Sequence, residues 1–286
     1  MSTIASTVEK LCKASRKDYI NPYSYLEWPE QVEAEQWFTS PALTSLHGTE
    51  LYDNLSDAQR KVLSFHEAVN FFSLNIHGEK ALIEGLAHRL YKRGTQEISP
   101  YLHHFLDEEN KHMIYFGEFC MRYAGKVYPD RKMTLPRDYA PGEEDFLFFA
   151  KVMIFEEIVD VYNVQMSLDE SLVPIARQIN LMHHRDEARH LVFGRQLVKE
   201  LFDHFSRQWS PEILDSVREY LTSYLISTWK EYYNPDVYRD AGIRDPYEVQ
   251  ELAFNHPRCR EHRRRISRAC VTYLVDNKIL LEVPDV

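Results

Sequence analysis

Residues 181–190 read LMHHRDEARH and place His183, Glu187 and His190 at spacings of four and three. At about 100° per residue in an α-helix, these side chains fall within about 60° of one another. Two imidazoles and a carboxylate on one stripe form either a metal-ligand set or an unusually polar surface. Alone, they would suit a mononuclear facial triad. Three other segments bear on the choice. Between Phe72, Ile76 and Ile83, Leu86 lies Glu79, a carboxylate on an otherwise apolar stripe. Burying it without a partner would be very costly. Further on, Phe105, Glu109, His112, Phe116 and Phe119 share a face, so Glu109 and His112 form a Glu-x-x-His pair inside it. The run FFAKVMIFEEIVDVYN offers Glu156 and Glu157, one or both directed inward, with Asp160 a turn beyond Glu156. Glu187 and His190 supply a second Glu-x-x-His.

Other acids read as solvated. Glu84 shares its face with His77, Lys80, His88 and Tyr91. Glu108 shares one with His104, Lys111 and Tyr115, which reads as a polar face.

The elements carrying these residues are helical. An amphipathic pattern of period 3.5 to 3.6 runs from Ser56, a plausible N-cap, to about Arg93. A second helix is expected from Ile98 to Gly125, with Pro100 in its first turn and Gly125 at its end. Residues 126–142, with Pro129, Pro136 and Pro141, read as a connection. Glu143 to about Leu168 is apolar around most of its circumference and should be central. Pro174 opens a fourth helix to about Phe205. Pro211–Tyr232 and Pro257 to about Asn277 follow, around a looser stretch. Residues 1–55 hold Pro22, Pro29 and Pro41 and read as an irregular arm with short helices at most. No strand-like alternation and no solenoid-length repeat are present. The expected fold is all-α: one domain spanning 1–286, with a ligand-bearing bundle at about 56–205, a wrapping arm and additional helices from 206 to 286.

Four successive long helices thus carry Glu, Glu-x-x-His, Glu and Glu-x-x-His. That order matches ferritin-like dimetal carboxylate bundles. Two cations a few ångströms apart need bridging carboxylates to neutralise charge, with an imidazole for each. The competing reading, a bundle with buried salt bridges to Arg185, Arg189 or Lys151, would bury at least four carboxylates and two imidazoles, which is unfavourable.

Composition narrows the classes. The 286 residues are 44% hydrophobic, with only 9 glycines, and carry no Gly-rich nucleotide loop. A formal charge of −10 argues against nucleic-acid binding. Six arginines between Arg258 and Arg268 break that trend, as a solvated helix face or as a docking patch for an acidic electron donor. Cys12, Cys120, Cys259 and Cys270 form no C-x-x-C and fit a reducing cytosol, hence a cytoplasmic location. The N-terminus lacks a signal-peptide core, and the run Phe146–Phe155 contains Lys151 and is too short to span a bilayer.

On these residues the chain resembles known families. RDEARH is similar to the fourth-helix motif of the ribonucleotide reductase small subunit and of bacterial multicomponent monooxygenases. FEEIVDVYN resembles their third-helix segment, in which Glu156 aligns with the ligand. The resemblance covers roughly residues 60–200. His183, four before Glu187, resembles the third histidine of the p-aminobenzoate N-oxygenase family. That resemblance implies Glu79, Glu109, His112, Glu156, His183, Glu187 and His190 as ligands of two iron ions, with manganese the other candidate metal. Asp186 would orient a ligating imidazole, and Asp160 would do so or make a simple buried hydrogen bond. His184 is the weaker candidate ligand.

The implied activity is O2-dependent N-oxygenation of a small amine or arylamine through a peroxo-diiron species, with an external electron donor and a homodimer. The alternatives are C–H hydroxylation or desaturation by the same centre, iron storage, and a dinuclear hydrolase. Two departures narrow the resemblance. Phe116 stands where the reductase carries its radical tyrosine. Ser73, Leu74 and Asn75 stand where the N-oxygenases should hold a substrate carboxylate with a basic residue, so p-aminobenzoate specificity does not carry over.

Overall fold

In the computed structural model the described residues are 3–33, 35–131 and 137–286. Pro136, expected in the connection before the third long helix, lies outside them. Among the described residues the regular elements are all helices, and no strand is present beyond one isolated bridge between Trp37 and Leu172. The result is an all-α helical bundle.

Four long helices form its centre: α3 (Asp57–Arg89), α4 (Ser99–Phe119), α5 (Glu143–Leu168) and α6 (Pro174–Phe205). They pack chiefly as two pairs, α3 on α4 and α5 on α6. Ser56 caps α3: its Oγ accepts from Gln59 N, and Gln59 Oε1 accepts from Ser56 N at 2.9 Å. This capping box satisfies two donors that the helix start would otherwise orphan. Helix α4 widens into a π-helical turn at Cys120–Ala124 and ends at Gly125, whose φ of 65° suits glycine. Helix α5 is central as expected. Its apolar circumference packs on α6, α7 (Pro211–Tyr232) and α10 (Pro257–Asp276).

Two elements depart from the sequence reading. The stretch expected to be irregular begins with a 15-residue helix, α1 (Thr3–Lys17). Ile4, Val8, Leu11, Cys12 and Ser15 form its buried stripe, and it packs on α4 and α6. That period-3.6 stripe is readable in the sequence, directly ahead of the proline-containing part of the arm. After α1 the arm does wrap the bundle. The short helix α2 (Glu50–Asn54) lies within it, Phe38 N donates to Ser64 Oγ at 3.0 Å, and Val173 N donates to Trp37 O at 2.8 Å. The looser stretch after α7 holds two short helices, α8 (Pro235–Asp240) and α9 (Pro246–Asn255). Asn234 ties it to α3 by donating to Asn70 Oδ1 at 2.8 Å. Among the described residues, no helix is long and apolar enough to cross a membrane.

Candidate metal centre

The four central helices bring all seven expected residues together. Helix α3 presents Glu79; α4 presents Glu109 and His112; α5 presents Glu156; α6 presents His183, Glu187 and His190. Each is at most 3% exposed. They fall into two adjoining donor sets: Glu79, His112 and His183, and Glu109, Glu156, Glu187 and His190. Within each set, one donor atom per residue lies within 4.8 Å of all the others.

Two carboxylates sit between the sets. Glu187 Oε1 is 2.8 Å from His183 Nε2, 3.3 Å from His190 Nδ1 and 3.8 Å from His112 Nδ1. Glu109 Oε1 is 3.0 Å from His190 Nδ1 and 3.8 Å from His112 Nδ1. Glu79 lies nearest the two-imidazole end, with Oε1 3.5 Å from His183 Nε2 and 3.6 Å from His112 Nδ1. Glu156 lies at the other end, 3.9 Å from His190 Nδ1.

These residues fit two cations. Among the described residues, no Lys or Arg forms an ion pair with any of the four glutamates. Both oxygens of Glu79 and Glu156, Glu109 Oε1, Glu187 Oε2, His112 Nδ1 and His190 Nδ1 are buried without a hydrogen-bond partner. So many orphaned donors pointing at one place are unfavourable unless cations fill it. Burial, then repulsion among the carboxylates, pushes Glu79 and Glu156 well above the usual carboxylate range. Burial acts the same way on Glu187, but His190 and His183 outweigh it and hold that carboxyl low. Oxygen-rich donors with imidazole suit iron or manganese.

The far side of each imidazole is also fixed. His112 Nε2 donates to Asp186 Oδ2 at 3.1 Å, and His190 Nε2 donates to Glu108 Oε2 at 2.9 Å. Both rings are thus held by their Nε2 edge and turn Nδ1 toward the cluster. His183 uses the opposite edge: Nε2 faces the cluster, and Nδ1 lies 2.9 Å from the side-chain amide of Asn163. Arg189 joins the two backing acids, donating to Glu108 Oε1 at 2.6 Å and to Asp186, while Lys111 also pairs with Asp186. Two buried acids and two buried bases balance.

Several sequence expectations change here. Glu108, read as solvated beside Lys111 and Tyr115, is buried with both of them. Its acid role was available in the sequence: Glu108-Glu109-x-x-His112 repeats the pattern of Asp186-Glu187-x-x-His190. Each leading acid backs the histidine of the other helix. Asp160 touches none of the three cluster imidazoles; its Oδ1 accepts from His184 Nδ1 at 2.7 Å, so this pair lies beside the cluster. Glu157 is buried but turns away, to Arg195. Of the cations in the salt-bridge alternative, Arg185 is exposed, Arg189 holds Glu108 and Asp186, and Lys151 faces tyrosine rings.

Aromatic rings close the cluster. Phe105 stacks on His190 with centroids 3.9 Å apart, and Phe116 meets His183 edge-on at 5.0 Å. Phe72, stacked on Phe116 at 5.1 Å, is fully buried. At the α3–α5 seam, these two helices and α7 frame a cleft of about 860 Å³.

The sequence model of the p-aminobenzoate N-oxygenase AurF family matches residues 2–277. The chain is also similar to an uncharacterised protein of Mycobacterium bovis and to one of Mycobacterium tuberculosis. Each is 24% identical over 268 residues, which cover 88% of this chain and 76% of the relative. A match over nearly the whole length, together with the seven converging residues, gives the assignment: the chain belongs to the p-aminobenzoate N-oxygenase family.

Proposed function

We propose that this protein is an O2-dependent non-haem di-iron oxygenase that adds oxygen to the nitrogen of a small-molecule amine or arylamine. Glu79, Glu109, His112, Glu156, His183, Glu187 and His190 would hold the metals. The observation carrying this reading is the pair of adjoining donor sets, buried and without Lys or Arg partners. When bound, two irons supply the O2-binding site and the redox equivalents. The first product balances as R–NH2 + O2 + 2 electrons + 2 protons giving R–NHOH + H2O, with the electrons from an external donor.

The chain's own residues account for the rest. Glu109 and Glu187 each approach imidazoles of both sets and would hold the two cations close together. Asp186 and Glu108 hold the Nε2 edges of His112 and His190, which orients Nδ1 of each ring toward the metals it would bind. Arg189 and Lys111 keep those two acids ionised and in place. Phe105, Phe116 and Phe72 exclude water from the imidazole side. His183 makes the two ends unequal, with two imidazoles at the Glu79 end and one at the Glu156 end.

The test is product analysis. Iron-loaded protein supplied with a chemical reductant, 18O2 and a panel of arylamines should give products with 18O on nitrogen. Label on carbon, or desaturation, would contradict the proposal in favour of a C–H oxidant.

A further inference from the structure

The cleft framed by α3, α5 and α7 reaches the α3–α5 seam beside two of the expected ligands in sequence. Gly78 and Phe155 both line it, and each immediately precedes an expected ligand, Glu79 and Glu156. A Cβ on Gly78 would lie 2.8 Å from the Phe155 ring. At this seam the Phe155 ring rests directly on α3, where Gly78 presents no side chain. Leu82 and Val152, each one turn from this contact toward that of Gly85 with Phe148, keep this inner end apolar.

The other walls are polar, and among the described residues two lining cations form no ion pair, exposed Lys230 and half-buried Lys151. Arg131 is paired with Asp236, Arg137 with Glu143, and Lys230 lies over the ring of Phe254. Asp130 and Glu231 also line the cleft. Lys151 is half-buried in the most apolar helix of the bundle, and among the described residues it forms no ion pair. Its ammonium sits between two rings, 5.7 Å from the centroid of Tyr220 and 5.9 Å from that of Tyr224. Five residues, about 7.5 Å of helix, separate it from Glu156. A cation held over apolar and aromatic surface with no counter-ion is a ready partner for an anionic ligand group.

We infer that this cleft is the substrate site and that Lys151 is its specificity-determining residue. It pairs with an anionic group on an amine substrate larger than one aromatic ring, whose amine end enters between Gly78 and Phe155. The volume of about 860 Å³ lies in the range that encloses drug-sized ligands. The inference rests on the N-oxygenase reading for the role of the amine end. Binding alone does not.

Isothermal titration calorimetry on anaerobic iron-loaded protein tests it. The probes are 4′-aminobiphenyl-4-carboxylate, its neutral carboxamide, and p-aminobenzoate. The Lys151→Met variant should bind the biphenyl acid about tenfold to hundredfold more weakly. It should bind the amide within about threefold of wild type. Lys151→Arg should restore most of the acid's affinity, which separates lost charge from misfolding. p-Aminobenzoate, too short to reach Lys151, should bind weakly and without dependence on it. Equal losses for acid and amide, no loss for either, no binding of the biphenyl acid to wild type, or a matching Lys151 dependence for p-aminobenzoate would overturn the inference. If Lys151 governs affinity but no product carries oxygen on nitrogen, the function fails and the site stands. If N-oxygenation proceeds and Lys151 changes neither affinity nor KM, the reverse holds.

Discussion

At the scale of single residues, the account turns on the crosswise backing of the two Glu-x-x-His histidines. His112 of α4 is held by Asp186 of α6, and His190 of α6 by Glu108 of α4. The two acids occupy equivalent positions, so they should have equivalent effects. Asp186→Asn and Glu108→Gln are each expected to weaken iron binding about tenfold to hundredfold, measured by chelator competition. An effect from Asp186→Asn alone would contradict the symmetric arrangement. Much of this scale was readable in the sequence. Glu79 was visible because a carboxylate stood on an apolar stripe, and Glu109–His112 because an acid and an imidazole interrupted one. Choosing between Glu156 and Glu157 needed the family resemblance, since both have apolar neighbours and both are buried. Asp160 shows the limit: one turn from a ligand position, the sequence left it either orienting an imidazole or making a simple hydrogen bond, and it pairs with His184 on the neighbouring helix.

At the scale of elements, one omission explains another. Helix α1 was hidden in a proline-containing arm, and without it the second face of α4 looks solvated. With α1 and the arm in place, that face is enclosed. Cys12 and Arg16 of α1 are electrostatic neighbours of Glu108 and His104 respectively, and Tyr19 and Tyr25 of the arm are neighbours of Tyr115. A polar stripe therefore becomes a buried ion-pair network. The helix boundaries themselves followed from capping residues and prolines, because those fix local backbone geometry irrespective of what packs on them. The start of α5 gives a test at this scale. Gly142 has φ 75°, and a Cβ there would overlap the ring of Phe205. Gly142→Ala should destabilise the fold by about 2 kcal/mol, from left-handed strain plus ring displacement. Denaturant unfolding measures this, and an unchanged midpoint would contradict the tight α5–α6 contact.

At the scale of the whole molecule, the arm, bundle and C-terminal helices meet at a buried carboxyl remote from the metal ligands. Glu67 of α3 accepts from Ser45 N at 3.2 Å and from Ser45 Oγ, and that hydroxyl lies 2.8 Å from Tyr238 Oη of α8. Burial lifts the Glu67 carboxyl to about 7, against 4.5 when unperturbed. The native state thus holds a proton that the unfolded chain has released, so this group's contribution is present below about pH 4.5 and is lost as pH rises through 7. Relative to Glu67→Gln, which cannot ionise, wild type should lose about 2–3 kcal/mol of stability between pH 5 and 8.5. A difference that stays constant with pH would contradict this. Nothing in the sequence announced Glu67, because its burial depends on an arm more than twenty residues away and a helix near the far end of the chain.

The central claim is that seven side chains from four helices hold two irons. The most direct measurement is the iron content and Mössbauer spectrum of protein loaded anaerobically with 57Fe(II) and then exposed to O2. Two irons per chain are expected, forming a coupled diferric pair at two unequal sites that reflect two imidazoles at one end and one at the other. One iron per chain, or a second iron with uncoupled signals of adventitious binding, would contradict the claim.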